Sequence, residues 1–309
     1  MAKTMIVEMR STTTAKIAKK LQELRDTGGV VALGRVLSLL VETDPQNLEE
    51  AIKTANAASR LHPSRIIVLA KDEGGTANLD AEIRVGGDAG ASEVIVLKAA
   101  GAALSNTESL VSGLLLPDAP IVAWWPTECP ANPAATELGR IAGRRITNAA
   151  HQRDAVSFLK LLAQNYEPGD GDMAWTRITL WRSQLAALLD QHSNLPIQRI
   201  MVYGNKTSPS THLLSSWLRL KLQARVEIVE KIGDAEVSGV GGVEIQFDSG
   251  RLRIIRNGQV AVIEQPGLPT TSVLLPPRSD LDCLIEDLRF LGEDKEYAEI
   301  LRNGLSDAN

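Results

Sequence analysis

The segment Ile66 to Ala70 is a β-branched apolar run suited to a buried strand, and Pro63 just ahead of it ends the helix-like stretch before it. The run sits within an alternation of strand-like and amphipathic helical segments, which directs the chain toward α/β architecture. Upstream, Ile17, Leu21 and Leu24 mark one face of a helix over Thr13 to Asp26, stopped by Gly28 and Gly29, and Val36 to Val41 reads as a strand. Asp44 and Pro45 then start a helix expected to last until Leu61, with Glu49 and Glu50 suited to its positive end. Downstream, strands over Ala81 to Val85 and Glu93 to Lys98 flank the turn Gly86-Gly87-Asp88-Ala89-Gly90. A helix near Asn106 to Leu116 and a strand over Ile121 to Trp125 follow. A loop with Pro126, Pro130 and Pro133 comes next, then a helix over Asp154 to Tyr166 with Leu159 and Leu162 on its apolar stripe.

A chain of 309 residues exceeds the roughly 100 to 200 typical of one domain. The turn-rich stretch Glu167 to Asp172 is the best boundary, giving an N-terminal α/β domain over residues 1–166 and a C-terminal α/β domain over 167–309. The apolar Met173-Ala174-Trp175 that follows predicts an ordered junction. Beyond it, Ile178, Trp181, Leu185 and Leu188 line a helix, Gln198 to Tyr203 reads as a strand, and Ser208-Pro209 caps a helix carrying Leu213, Leu214, Trp217 and Leu218. Runs at Arg225 to Val229, Val243 to Phe247, Arg251 to Ile255 and Val260 to Glu264 predict an antiparallel meander, with a hairpin turn at Asn257-Gly258. Two short helices close the chain, the first capped by Ser279. The fold class is therefore α/β: two domains with mixed parallel and antiparallel sheets, flanking helices and, from the shared element order of the halves, a possible internal structural repeat.

A net charge of -5 without a long Lys/Arg run offers no general attraction to nucleic acid or anionic lipid. No window approaches the about 18 continuous apolar residues of a membrane span, the start lacks the apolar stretch of a secretory signal, and cytoplasmic residence is expected. Cys129 and Cys283 lie far apart in sequence and form no CxxC pair, in keeping with a reducing compartment.

The motifs of catalysis are missing from the sequence. Gly239-Val240-Gly241-Gly242 lies between β segments and cannot set a phosphate on a helix N-terminus. His62, His151, His192 and His212 show no metal-ligand spacing, and Asp170 with Asp172 lacks the further ligands of a calcium loop. There is no GxSxG elbow. The expectation is a protein that is not an enzyme, with no cofactor and no metal.

What stands out is polar and aromatic residue types held together: Trp124-Trp125-Pro126, Arg144-Arg145, and Trp175-Thr176-Arg177 with Trp181-Arg182. Aromatic and Arg side chains anchor protein interfaces. Trp181 and Trp217 fall on apolar helix faces and read as core. Trp124 and Trp125 are strand neighbours pointing to opposite faces, so one of them leaves the core unless a second layer covers it. Trp124, Trp125, Arg144, Arg145, Trp175, Arg177 and Arg182 are the candidate partner- or ligand-binding residues.

These segments, with Ala58 to Pro63, Gly86 to Gly90, Leu115 to Pro120, Arg144 to Thr147, Pro168 to Asp170 and Ser210 to Trp217, appear in an order that resembles the OpcA family of glucose-6-phosphate dehydrogenase assembly proteins over nearly the whole chain. The resemblance implies a non-catalytic, allosteric activator or assembly factor of glucose-6-phosphate dehydrogenase, the enzyme that opens the oxidative pentose phosphate pathway. The alternative is a sugar-phosphate-binding enzyme or sensor in which Arg144, Arg145, Arg177 and Arg182 hold the anion, since Arg forks suit phosphate.

Overall fold

The computed structural model describes residues 5–28, 36–85, 93–192 and 195–305. In chain order its strands are β1 (Met5–Met9), β2 (Leu37–Thr43), β3 (Ser64–Asp72), β4 (Asn78–Val85), β5 (Glu93–Ala100), β6 (Ile121–Trp124), β7 (Arg144–Thr147), β8 (Asp170–Asp172), β9 (Ile197–Gly204), β10 (Val226–Val229), β11 (Lys231–Ile232), β12 (Ala235–Glu236), β13 (Val240–Phe247), β14 (Gly250–Asn257), β15 (Val260–Glu264) and β16 (Thr271–Leu274). Its helices are α1 (Thr14–Gly28), α2 (Leu48–Ala58), α3 (Thr107–Ser112), α4 (Glu137–Ile141), α5 (Ala155–Gln164), α6 (Met173–Thr176), α7 (Thr179–Asp190), α8 (Pro209–Leu222), α9 (Asp280–Asp287) and α10 (Lys295–Glu299). None of the described helices is long and apolar enough to cross a membrane.

The chain forms two compact units, and they interleave along the sequence. One comprises Met1–Asn148, Glu167–Gly171 and Asp280–Glu293; the other comprises Ala149–Tyr166, Asp172–Ser279 and Asp294–Asn309. Helix α5 joins the second because Leu159 is part of its core, whereas α9 joins the first because it packs on α2 and its Asp287 pairs with Arg144.

The first unit is built on a sheet of order β1-β4-β5-β3-β2-β6-β7-β8. Its centre, β5-β3-β2-β6-β7, is parallel, and β4 and β1 add antiparallel strands at one side. In β2 the consecutive Leu37, Ser38, Leu39, Leu40 and Val41 are all buried, which a strand achieves only with both sheet faces covered. One face carries Leu40, Ile67, Leu69, Ile95 and Leu97 against Ile17 and Leu21 of α1. Helix α2, with Ala51, Ile52 and Ala55 buried, packs on β2 and β3.

Several boundaries differ from the sequence expectation. Helix α2 begins at Leu48 because the Asp44 carboxylate is spent on a turn, accepting from the N–H groups of Gln46 at 2.8 Å and Asn47 at 3.0 Å. The helix expected over Asn106 to Leu116 is the six-residue α3, which ends at Ser112; its first turn is capped by the Asn106 side chain, and a 3-10 segment, Gly101–Asn106, precedes it. Helix α4 and strand β7 were not apparent, since each is only four or five residues long. The Gly86 to Gly90 turn and Gly29 lie outside the described residues.

Glu137, at the start of α4, holds α3 in place: its carboxylate accepts from the Thr107 hydroxyl and from the Thr107 and Glu108 backbone N–H groups. The Thr107 hydroxyl bond above all, then the two backbone bonds, hold the Glu137 pKa below its ordinary value against the opposing effect of partial burial. A carboxyl depressed in the folded state adds stability that is full above its unfolded pKa of about 4.3 and lost as pH falls through the folded value. Glu137→Gln is therefore expected to lower the melting temperature near neutral pH, with the difference from the parent shrinking as the solution is acidified through that range. A difference constant from pH 7 to 3 would contradict the tether.

The second unit contains a sheet of order β10-β9-β13-β14-β15-β16. β9, α8 and β10 form a strand-helix-strand unit with β10 parallel to β9, as β2, α2 and β3 do in the first unit. From there the sheets grow differently. β13 to β16 form the antiparallel meander and attach to β9, whereas β5 attaches to β3. The β14-β15 turn falls one residue later than expected, at Gly258-Gln259 between the paired Asn257 and Val260, with Gly258 at φ 63°, a left-handed conformation that glycine adopts without strain. Gly241 and Gly242 belong to β13 itself instead of a turn. The core joins Ile200, Val202, Val243, Ile245, Leu252 and Ile254 of the sheet to Leu213, Leu214, Trp217 and Leu218 of α8 and to Trp181 and Leu185 of α7. Ser208 occupies the cap position of α8 without a side-chain hydrogen bond, and Pro209 fills the first helical position.

Candidate functional site

Trp124 ends β6 and Trp125 follows it, and they are 1% and 0% exposed. The condition under which both stay inside is met: Trp125 packs in the core beneath α1, while Trp124, opposite Val41 and Ile146 in the ladder, is buried as well. Neither indole N–H meets an acceptor among the described residues. The Trp125 carbonyl accepts from the Cys129 thiol at 3.2 Å, and neither Cys129 nor Cys283 is in a disulfide.

Arg144 and Arg145 are consecutive on β7 and diverge to different partners. Arg144 donates to Asp287 of α9 at 2.7 Å, with both side chains almost fully buried. Arg145 binds the Asp170 carboxylate and donates to the carbonyls of Ala142 at 3.0 Å and Pro168 at 2.5 Å. This arrangement explains the Gly-rich segment 167–172. Gly169 has φ 96°, and a Cβ there would lie 2.4 Å from the Gly143 carbonyl oxygen; a Cβ on Gly171 would lie 2.4 Å from the Arg144 guanidinium. The turn residues that suggested a boundary are the packing surface for two buried arginines. Asp172 accepts from the Ala149 N–H at 2.8 Å and caps α6 through the Ala174 N–H at 2.8 Å.

The second unit gathers Trp175, Arg182 and Trp217. The Arg182 guanidinium carbon stacks 3.6 Å from the Trp175 ring centre, and Trp175 donates its indole N–H to Asp294 at 2.7 Å. Glu296 of α10 accepts from Arg182 at 2.5 Å and from the Trp217 indole at 2.8 Å. Tyr297 lies against Trp175 with ring centres 5.7 Å apart. Arg177 turns elsewhere and donates to the Arg278 carbonyl at 3.3 Å. Of the seven candidates, Trp175 and Arg182 therefore meet, Arg177 stands apart from them, and only Arg177 and Arg182 keep partial exposure. Asp170, Asp287, Asp294 and Glu296 complete these clusters. Apart from Asp170, they come from segments more than a hundred residues along the chain from the Trp and Arg they hold, or in the case of Trp217 and Glu296 79 residues, so no local pattern signals them.

Two family models match in chain order: the glucose-6-phosphate dehydrogenase subunit N-terminal domain over residues 55–164 and its C-terminal domain over residues 168–301. The chain belongs to the OpcA family. Trp124, Trp125, Arg144 and Arg145 lie within the first match, and Trp175, Arg177 and Arg182 within the second. A comparison with curated proteins gives no match. In this OpcA-family chain, then, Arg144, Arg145, Trp175 and Arg182, among the residues that carried the resemblance, hold cation–carboxylate or cation–aromatic contacts. Each carboxylate beside them already has a guanidinium, indole or backbone partner, an arrangement suited to fixing shape.

Proposed function

We propose that this chain is a non-catalytic cytoplasmic partner of glucose-6-phosphate dehydrogenase that supports its assembly and raises its activity allosterically, at the entry to the oxidative pentose phosphate pathway. The observation carrying the proposal is the ordered pair of family matches, which together extend from residue 55 to residue 301. The committed state of the candidate site agrees with it, since a general acid or base needs a group free to exchange a proton with substrate. On this reading Trp124, Trp125, Arg144 and Arg145 shape the first unit and Trp175 the second, and Arg177 and Arg182, partly exposed on the second unit, are the members of the set that can touch the dehydrogenase. The alternative, in which the four arginines hold a sugar phosphate, is disfavoured by the occupation of Arg144 and Arg145 with Asp287 and Asp170.

Steady-state assays test the proposal. The chain alone is expected to reduce neither nicotinamide cofactor with glucose 6-phosphate, and added to the dehydrogenase it is expected to increase the rate to a plateau. Bound glucose 6-phosphate should also change the affinity of the dehydrogenase for the chain, because linkage between sites is reciprocal. A rate and an oligomeric state both unaltered at saturating chain would overturn the reading.

A further inference from the structure

A groove of about 600 Å³ in the second unit is walled by α8 and floored by β10. Its volume is in the range of small-molecule sites. Along α8, positions 212, 215, 216 and 219 recur at helical spacing and present one face to it, while Val226 and Ile228, two apart on β10, give it an apolar floor. The charged residues lining it, Lys206, Arg219 and Arg225, are all cationic; His212 also lines it and no carboxylate does. In a chain of net charge -5 such a one-sign lining is a local reversal of the overall field.

The commitments of these groups differ. Arg219 is partly engaged, donating to the Gly304 carbonyl and to Ser216 at 3.5 Å. The His212 ring donates from Nε2 to the Lys206 carbonyl at 2.7 Å, which fixes its orientation. Lys206 reaches Glu230 at 3.4 Å across an ion pair at least half exposed at both ends, an interaction easily exchanged. Arg225 has no hydrogen bond or ion pair among the described residues, so its planar fork is open to a ligand. We infer that this groove binds a small phosphate monoester, the phosphate taken by Arg225 and Lys206 with Arg219 behind them, and the organic body lying on Val226 and Ile228. Arg and Lys suit a dianionic phosphate through charge-assisted hydrogen bonds, and the apolar floor distinguishes an ester from the bare ion. The inference is independent of the dehydrogenase reading, because it concerns the isolated chain.

The test is calorimetric titration of the isolated chain at low ionic strength with glucose 6-phosphate, inorganic phosphate and glucose as probes. Glucose 6-phosphate is expected to bind, glucose to give no heat, and inorganic phosphate to bind more weakly than the ester. The double variant Lys206→Ala, Arg225→Ala removes two exposed side chains and is expected to keep the parent melting temperature while weakening the ester at least tenfold. Arg251→Ala, at an exposed pair with Glu264 elsewhere on the sheet, is expected to bind as the parent does. Absence of binding by both phosphates at millimolar concentration, or equal binding by parent and double variant, would overturn the site. Equal affinity for ester and inorganic phosphate would overturn the role given to the apolar floor.

Discussion

Glu93→Gln is expected to destabilise the protein by about 3 to 5 kcal/mol, the scale seen when one member of a buried ion pair is removed. The Glu93 carboxylate receives Arg65 at 2.8 Å and Arg25 at 2.9 Å, and the Glu93 and Arg65 side chains are 3% and 6% exposed. Arg65 also donates to the Leu114 carbonyl at 2.7 Å, so the pair ties β3 and β5 to the turn after α3. The amide of Gln preserves the shape but not the charge, leaving the Arg65 guanidinium buried and uncompensated. The cost is thus that of an unpaired buried charge, a larger quantity than the net worth of the intact pair. Arg25, 37% exposed, can turn to water and does not add a comparable penalty. Urea denaturation checks this, with Glu50→Gln as the comparison: Glu50 and Lys53 pair at 3.2 Å but are more than two-thirds exposed, and that variant should leave the denaturation midpoint unmoved. Equal effects of the two substitutions would mean that the Glu93 cluster is hydrated.

Trp124→Ala and Trp125→Ala are each expected to cost about 3 to 5 kcal/mol of folding free energy, as truncation of a large buried aromatic does. The sequence allowed the pair to split, one residue in the core and one facing a partner. Burial of both replaces that expectation with a common one. Both variants should lose melting temperature together, and the folded fraction of each, assayed at a temperature where circular dichroism matches the parent, should still stimulate the dehydrogenase. A variant that kept the parent melting temperature but lost stimulation would return that tryptophan to the interface. Because stabilities of folded domains are only about 5 to 15 kcal/mol, these variants should remain folded in the cold yet be depleted on warming.

The two results together locate the limits of reading an interface from residue type. Trp and Arg mark hot spots because they combine large contact area with directed hydrogen bonds, and the same properties make them the fastenings of a chain with only 4% aromatic content. Arg182 stacked on Trp175 and bound to Glu296 is such a fastening, as is Arg145 on Asp170. A small-ligand site on this scaffold has to be sought among residues with spare hydrogen-bonding capacity. Arg225 is one, and nothing in its sequence neighbourhood singled it out.

The sequence by itself determined the α/β class, the run of buried strands around Ile66 to Ala70, the existence of the hairpin closed by Gly258, most helices longer than two turns, and the family. These features rest on local periodicity, turn chemistry and ordered short motifs, all carried by residues close together along the chain. Only the tertiary structure decided that Trp124 and Trp125 are both inside, since a strand shows its two faces but not what covers them. Only it gave Arg144 to Asp287 and Trp175 to Asp294, pairs separated by 143 and 119 residues. Which of many carboxylates reaches a given guanidinium depends on how the chain folds back. In the same way, segment 167–172 announced itself as turn-forming, but that its glycines make room for buried arginines became visible only once β7 lay beside it, because the space a missing Cβ leaves has meaning only against the neighbour that fills it.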